Sequence, residues 1–189
     1  MFQPIVVDNF FRSPDIVREF ALEQQYWPKE TNPNGGNWPG KRSDYISALH
    51  DELFKNMMEK IHKTIGIDRM HSTYTESFFQ YCSESDGNSW VHRDALQFEP
   101  THVGLIYLSP NPQPNSGTIL YEHKDPDYVK GDPIDDSGDV NDYNVKQVLE
   151  NKYNRAVIYH PDEFHKSDTY FGTTKEDSRL FIVFFMRVN

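Results

Sequence analysis

The sequence predicts a mainly β protein, a sandwich, jelly roll or barrel, preceded by N-terminal helices. From about residue 73 onward, short runs rich in aromatic and β-branched residues alternate with turn-rich connections, as in compact all-β folds. The 13 Phe, 11 Tyr and 3 Trp favour strands and line pockets. Apolar stripes at helical spacing are confined to the first third of the 189 residues, which are most simply one domain.

Residues 1–72 are predicted to be a helical support packed on one face of the β domain. Ser13 to Asp15 has the pattern of an N-cap, a proline at the first helical position and an early acid, and an apolar stripe follows. A second stripe runs from Leu49 to Ile65, and Gly66 is expected to end this second helix. Residues 28–40 are predicted to be an ordered loop because Trp38 favours burial.

Residues 73–189 are predicted to form the β domain. The predicted strands are Tyr74–Cys82, Ser89–Asp94, His102–Ser109, Thr118–Tyr121, Arg155–His160 and Arg179–Val188. Because alternate residues of a strand share a face, Val103, Leu105 and Tyr107 are expected to point the same way. The last strand is apolar on both faces, which is typical of a strand inside a packed sandwich.

The acidic segment 122–152 is too long for a plain turn. We expect a solvated surface insertion in the β domain, and a lid over the site is the functional alternative. A calcium loop is disfavoured because the acids lack the regular ligand spacing with a terminal glutamate.

The charge and the cysteine content limit the classes of partner and compartment. A net charge of −10 argues against nucleic acid as the main partner. Cys82 is the single cysteine, so no intrachain disulfide forms, which fits a reducing compartment. No secretory signal is visible, and no apolar run approaches the roughly 20 residues that span a bilayer. We therefore expect a cytoplasmic protein without a membrane partner, and the oligomeric state stays open.

His92 and Asp94 form the first half of a candidate metal site. On a strand, residues i and i+2 point to one face, so both side chains can reach one ion. Taken alone, the triplet favours an ordinary strand histidine hydrogen-bonded to Asp94. Two imidazoles and one carboxylate, however, can cover one face of iron(II) and leave the opposite positions open.

His165 and Arg179 supply the second half of the candidate site. His165 follows a predicted turn, and Arg179 opens the final apolar strand fourteen residues later. A charge at the head of such a strand requires a partner unless it reaches solvent at the sheet edge. His160 is the rival of His165 because it ends a predicted strand five residues earlier.

The order of His-x-Asp, distal His and Arg before a final apolar strand resembles the iron(II)- and 2-oxoglutarate-dependent oxygenases. The resemblance is strongest to the prolyl-hydroxylase-like branch, particularly its short stand-alone phage and bacterial members, and covers roughly residues 74 to 188. It implies a double-stranded β-helix, or jelly roll, with the site inside its mouth. The strand that begins at Gly117 and the segment from Trp38 to Arg42 also fit that branch.

The resemblance also implies the roles of individual residues. The iron ligands are expected to be His92, Asp94 and His165, and Arg179 is expected to pair with the distal carboxylate of 2-oxoglutarate. Tyr81 and Tyr107 are expected to line the cosubstrate pocket. The gap between His165 and Arg179 is longer than is usual in that branch.

The implied reaction uses iron(II), 2-oxoglutarate and dioxygen to hydroxylate a protein side chain, an amino acid or a small metabolite. Two alternatives remain open at this point. The domain could be a non-catalytic binding or structural module with a residual metal site, or a zinc hydrolase that uses the same ligands to activate water. The substrate is not identified by the sequence.

Overall fold

The computed structural model describes residues 2–32, 38–67, 73–87, 89–94, 98–131 and 138–189. The α-helices within these ranges are α1 (Pro14–Glu23), α2 (Ile46–Leu49) and α3 (Asp51–Thr64). The strands are β1 (Ile5–Val7), β2 (Trp27–Pro28), β3 (Lys41–Tyr45), β4 (Thr73–Cys82), β5 (His102–Tyr107), β6 (Thr118–His123), β7 (Tyr143–Leu149), β8 (Ala156–Tyr159), β9 (Phe164–Ser167) and β10 (Arg179–Val188).

The strands form two antiparallel sheets, which confirms the prediction of a mainly β jelly roll. The larger sheet has the order β1-β8-β5-β10-β4-β3-β2, and the smaller has the order β7-β6-β9. An inner apolar cluster joins the two sheets, with Leu105 and Val183 from the larger sheet and Leu120 and Leu149 from the smaller. The space between the sheets is therefore a packed core, and the site described below opens into it.

The second apolar cluster lies on the other face of the larger sheet. It joins Val17 of α1 and Ile61 of α3 to Phe79 and Ile182 of the sheet. Strand β10 consequently buries both of its faces, because its odd residues enter the inner cluster and its even residues contact the helices. No helix of the described residues is both long and apolar enough to cross a membrane.

Several elements match their predictions closely. Strand β10 has the predicted bounds Arg179–Val188. Val103, Leu105 and Tyr107 of β5 share the inner face, as predicted. Gly66 has a positive φ of 72° just after α3, where the sequence predicts the end of the second helix.

The predicted surface insertion over 122–152 is wrong in part. Strand β6 continues to His123, and β7 spans Tyr143–Leu149 at the edge of the smaller sheet. The strand signal is weak because most of the β7 interior is exposed, including Val145 and Val148. Residues 132–137 of this segment, like residues 33–37 of the predicted 28–40 loop, lie outside the described residues.

Candidate metal centre

Two histidines are brought together by the backbone itself. His92 and His165 form an antiparallel bridge, in which the His92 N–H donates to the His165 carbonyl at 3.0 Å. The His165 N–H donates back to the His92 carbonyl at 2.8 Å. Only Val91 and His92 of the predicted 89–94 strand make bridges, so that segment acts as a short extension of the smaller sheet beside β9.

Asp94 completes the cluster from the same segment. Its N–H donates to the Pro161 carbonyl at 3.0 Å, just before β9. The potential ligand atoms of His92, Asp94 and His165 all lie within 4.8 Å of one another. The Asp94 Oδ2 atom is buried, lies 3.4 Å from His165 Nε2 and has no hydrogen-bond partner among the described residues. A buried carboxylate oxygen without a donor suits a cation.

Both imidazoles have the same orientation relative to their own backbone. The Nδ1 atom of His92 contacts the Trp90 carbonyl at 2.9 Å, and that of His165 contacts the Glu163 carbonyl at 2.9 Å. A carbonyl can only accept, so each Nδ1 carries a proton, and in a neutral ring with this tautomer the Nε2 atom has the free lone pair. Such hydrogen bonds commonly orient metal-binding imidazoles.

The electrostatic environment favours the neutral, ligand-competent form of His92. Burial, with a smaller contribution from the neighbouring His165, lowers the pKa of His92 to about 4. The ring centroids of His92 and His165 are 4.4 Å apart, and a shared cation would lie between two imidazole nitrogens and one carboxylate. This donor set fits a divalent metal of the iron(II) or zinc class.

His160 is not a member of the cluster. Its Nδ1 accepts the Asp162 N–H at 3.1 Å, and its ring packs against Phe2. The geometry therefore brings His165, and not its rival, to His92 and Asp94.

Arg179 is fully buried, at 0% exposure, and so does not reach solvent at the sheet edge. Its Nε donates to the Ser116 carbonyl at 2.7 Å and its Nη2 to the Gly117 carbonyl at 3.2 Å. Its guanidinium packs over the rings of Phe181 and Tyr107. Its Nη1 is buried and has no partner among the described residues, so the guanidinium has an unused donor facing the interior.

The two predicted pocket tyrosines have different placements. Tyr107 is fully buried in the inner cluster, and its hydroxyl lies 3.0 Å from Thr118 Oγ1, beside the Arg179 guanidinium. Tyr81 points the other way, packs against the helix-side cluster and contacts Tyr26. The expectation that Tyr81 lines the pocket is therefore corrected: strand alternation turns its neighbour Gln80 inward instead.

A cavity of about 80 Å³ lies between the sheets. Its walls include the three clustered residues, Thr118 of β6 and Phe181 of β10. Thr118 links this cavity to Arg179 and Tyr107, because its hydroxyl contacts Arg179 Nη2 at 3.5 Å and the Tyr107 hydroxyl. Thr118 thus lies between the cavity at the candidate metal centre and the buried guanidinium.

Three side chains of this site were missed from the sequence. Tyr159 lines the cavity and packs edge-on against His165 at 4.9 Å. The Tyr170 hydroxyl is buried without a hydrogen-bond partner of good geometry among the described residues. Burial raises the pKa of this phenol, and the Arg179 charge opposes that shift. Arg42 enters the cavity from β3. None of them lies at a diagnostic spacing from His92, since tertiary packing alone brings them here.

The fold and part of the sequence match known proteins. Residues 3–140, a span that includes His92 and Asp94, match a family described as "Family of unknown function (DUF6445)". No curated protein sequence matches the chain.

The solved structures that resemble this chain share its fold at low identity. A prolyl hydroxylase from Trichoplax adhaerens, in complex with a hypoxia inducible factor oxygen degradation domain peptide, is 11% identical with a TM-score of 0.62, covering 97% of this chain and 83% of that one. HygX from Streptomyces hygroscopicus, with nickel and 2-oxoglutarate bound, is 12% identical with a TM-score of 0.65, covering 97% and 82%. A 2OG-Fe(II) oxygenase family oxidoreductase from Burkholderia pseudomallei is 8% identical with a TM-score of 0.61, covering 97% and 84%.

Proposed function

The chain belongs to the family of unknown function DUF6445, and we propose that it is an iron(II)- and 2-oxoglutarate-dependent dioxygenase that hydroxylates a protein side chain, an amino acid or a small metabolite. The observation that carries this proposal is the convergence of the ligand atoms of His92, Asp94 and His165 within 4.8 Å, beside a cavity whose wall residue Thr118 contacts the buried Arg179 guanidinium. The shared fold of the oxygenases named above supports it.

The ligand set fits iron(II) by its chemistry. His92 and His165 would bind through Nε2, because each Nδ1 is engaged with a carbonyl. Asp94 would bind through Oδ2, which otherwise has no partner. The described residues supply three ligands, which would leave room for 2-oxoglutarate and dioxygen, whereas a structural metal site is usually closed by four protein ligands.

Arg179 would hold the distal carboxylate of 2-oxoglutarate. Its free Nη1 offers a charged donor inside a packed core, where an unpaired charge is costly. The carbonyls of Ser116 and Gly117 fix the guanidinium plane, so the donor is already oriented. The Tyr107 and Thr118 hydroxyls lie beside it and line the same end of the site.

When bound, iron(II) with 2-oxoglutarate and dioxygen supplies the oxidising chemistry, which converts 2-oxoglutarate to succinate and carbon dioxide and hydroxylates the substrate. The chain's own residues orient and shield these groups. Phe181, Val183 and Leu105 form apolar walls that exclude water from the reacting centre. The neutral imidazole of His92 stays available as a ligand across the physiological pH range because its pKa lies at about 4.

The test compares His92→Ala with the matched control His160→Ala. With iron(II), 2-oxoglutarate and ascorbate, His92→Ala should abolish succinate formation and weaken metal binding, because one of three ligands is lost. His160→Ala should retain both, because His160 lies outside the cluster. Metal uptake is measured by equilibrium dialysis and succinate by chromatography. Full succinate formation by His92→Ala would refute the ligand assignment, and a wild-type protein that binds neither iron nor 2-oxoglutarate would instead indicate a non-catalytic module.

A further inference from the structure

A second arginine near the candidate metal centre, Arg42, has no role in the chemistry proposed above. Arg42 on β3 lines the same cavity as the metal cluster, and its guanidinium is stacked over Trp38 at 4.3 Å and lies near Phe78 at 5.0 Å. Its Nε donates to Gln80 Oε1 at 2.8 Å. Aromatic faces and one hydrogen bond thus hold the cation in a fixed orientation.

The remaining edge of the Arg42 guanidinium is unused. Among the described residues, the Nη1 and Nη2 atoms of Arg42 make no hydrogen bond or salt bridge. Arg42 is one of the residues that line the cavity, and neither of these atoms is among the fully buried nitrogens without a partner. Burial lowers the pKa of Arg42 to about 10, which still leaves it charged at neutral pH.

The position of Arg42 is maintained by a dedicated local structure. Gln80 accepts from Arg42 Nε and donates from its own Nε2 to the Pro39 carbonyl at 2.8 Å. Gly40 has φ 76°, and a Cβ there would lie 2.2 Å from the Tyr81 carbonyl oxygen, so only glycine lets this segment approach β4 so closely. The segment Pro39–Gly40 therefore holds β3 close to β4 and places the Arg42 guanidinium at the cavity wall.

Arg42 and Arg179 lie at different levels along β10. The Arg42 guanidinium is 5.6 Å from the centre of the Phe185 ring, whereas the Arg179 guanidinium packs over Phe181, four residues earlier on this strand. Phe185 pairs with Val103 and Val103 with Tyr159, the residue that packs on His165. Arg42 is thus at the level of the metal cluster, beyond the segment in which 2-oxoglutarate would extend toward Arg179.

We infer that Arg42 binds a carboxylate group of the substrate, so that the substrate of the proposed oxygenase is a carboxylate-bearing amino acid or the C-terminal residue of a peptide. The free Nη1/Nη2 edge matches the planar fork of a carboxylate. The Glu76 charge, which acts on Arg42, disfavours a doubly charged phosphate more than a singly charged carboxylate. This inference rests on the proposed function, because it takes the neighbouring metal centre to be that of an oxygenase. Binding of a carboxylate at Arg42 can nevertheless be measured without turnover.

The experiment measures binding without turnover, using protein loaded with Zn(II) in place of iron(II) and saturated with 2-oxoglutarate. Three probe sets are compared by ligand-observed NMR and titration: the twenty free amino acids, their N-acetyl derivatives, and the matching N-acetyl carboxamides. At least one acid should bind wild type about tenfold or more tightly than its amide, because a charge-assisted hydrogen bond contributes about 1.5–3 kcal/mol. Binding of free amino acids alone would identify a free amino acid, whereas binding of N-acetyl derivatives would identify a peptide C-terminus.

Arg42→Gln should remove this preference, and Arg42→Lys should keep only part of it because the ammonium lacks the fork. The matched control is Lys41→Gln, since Lys41 is the adjacent cation on β3 but lies over Tyr81 on the opposite face. It should bind the acid as wild type does. Thermal melting of each variant establishes that it is folded, and Arg42→Lys tests the role even if Arg42→Gln does not fold.

The inference is overturned if no acid binds better than its amide, if Arg42→Gln binds the acid as tightly as wild type, or if Lys41→Gln loses as much. A loss of 2-oxoglutarate affinity in Arg42→Gln as large as that in an Arg179 variant would also overturn it, by assigning Arg42 to the cosubstrate. Acid binding that depends on Arg42 in a protein that never consumes 2-oxoglutarate would support the assignment and refute only the oxygenase.

Discussion

Replacing Arg179 by Gln should selectively weaken the binding of 2-oxoglutarate. The guanidinium already satisfies the Ser116 and Gly117 carbonyls, so its unpaired Nη1 is the donor left for a ligand. One to two charge-assisted hydrogen bonds contribute about 2–4 kcal/mol, which corresponds to a rise of about 30- to 1,000-fold in Kd. Gln retains a donor for a backbone carbonyl but not the charge, so the loss should fall within this range.

The assay is calorimetric titration of the Zn(II)-loaded protein with 2-oxoglutarate and, separately, with 2-oxovalerate. The second ligand has the same chain length and the same chelating end but lacks the distal carboxylate. Arg179→Gln should therefore weaken 2-oxoglutarate strongly and 2-oxovalerate little, and wild type should prefer 2-oxoglutarate by the same factor. Arg187→Gln, at the far end of the same strand in a solvent-exposed pair with Glu99, is the matched control.

Two results would refute this reasoning. An Arg179→Gln variant that binds 2-oxoglutarate within threefold of wild type would show that the guanidinium holds no carboxylate. An equal loss for 2-oxoglutarate and 2-oxovalerate would show that the substitution disturbs the site in general and not the distal contact.

Two further substitutions test how the fold supports the site. Hydrogen bonds from Arg155 and Lys152 hold the pKa of Asp8 well below its ordinary value, so this carboxylate stabilises the fold above about pH 4 and less as the pH falls. Asp8→Asn should lower the stability at neutral pH by about 0.2–1 kcal/mol, and the difference from wild type should shrink in acid melting curves; a constant difference would contradict the linkage. Gly40→Ala should lower the free energy of unfolding by about 2–6 kcal/mol in denaturant titrations, because it adds backbone strain and a contact at 2.2 Å. Gly87→Ala is the control, because Gly87 has φ 75° and no atom within 4 Å of an added Cβ, and it should cost only the strain of about 1–3 kcal/mol. Equal costs would contradict the close approach at Gly40.

The sequence predicts best those features that depend on rare metal-ligating residues or on the alternation of side chains along a strand. His92 and Asp94 share a face because they are two residues apart, and the bounds of β10 follow from an uninterrupted apolar run. An inward residue of β4 is harder to predict because both faces of that strand are buried, so its apolar pattern does not distinguish Gln80 from Tyr81.

Features that depend on tertiary contacts could not be predicted. The β7 strand exposes most of its interior residues, and its acidic and polar surroundings resemble those of a loop. Arg42 reaches the site only through the pairing of strands that are distant in sequence, since it pairs with Gln80 across 38 positions. No spacing rule within a single segment contains that information.

The register between β6 and β9 has a consequence for the length of the cosubstrate. His165 pairs with Leu120, and Ser167 pairs with Thr118, the residue that contacts Arg179. Two strand positions, about 7 Å, therefore separate the level of the metal ligand from the level of the carboxylate anchor. Under the proposed function, this register sets the length of the 2-oxo diacid that can reach from the metal to Arg179. A slip of one residue would change that distance and turn His165 away from Asp94.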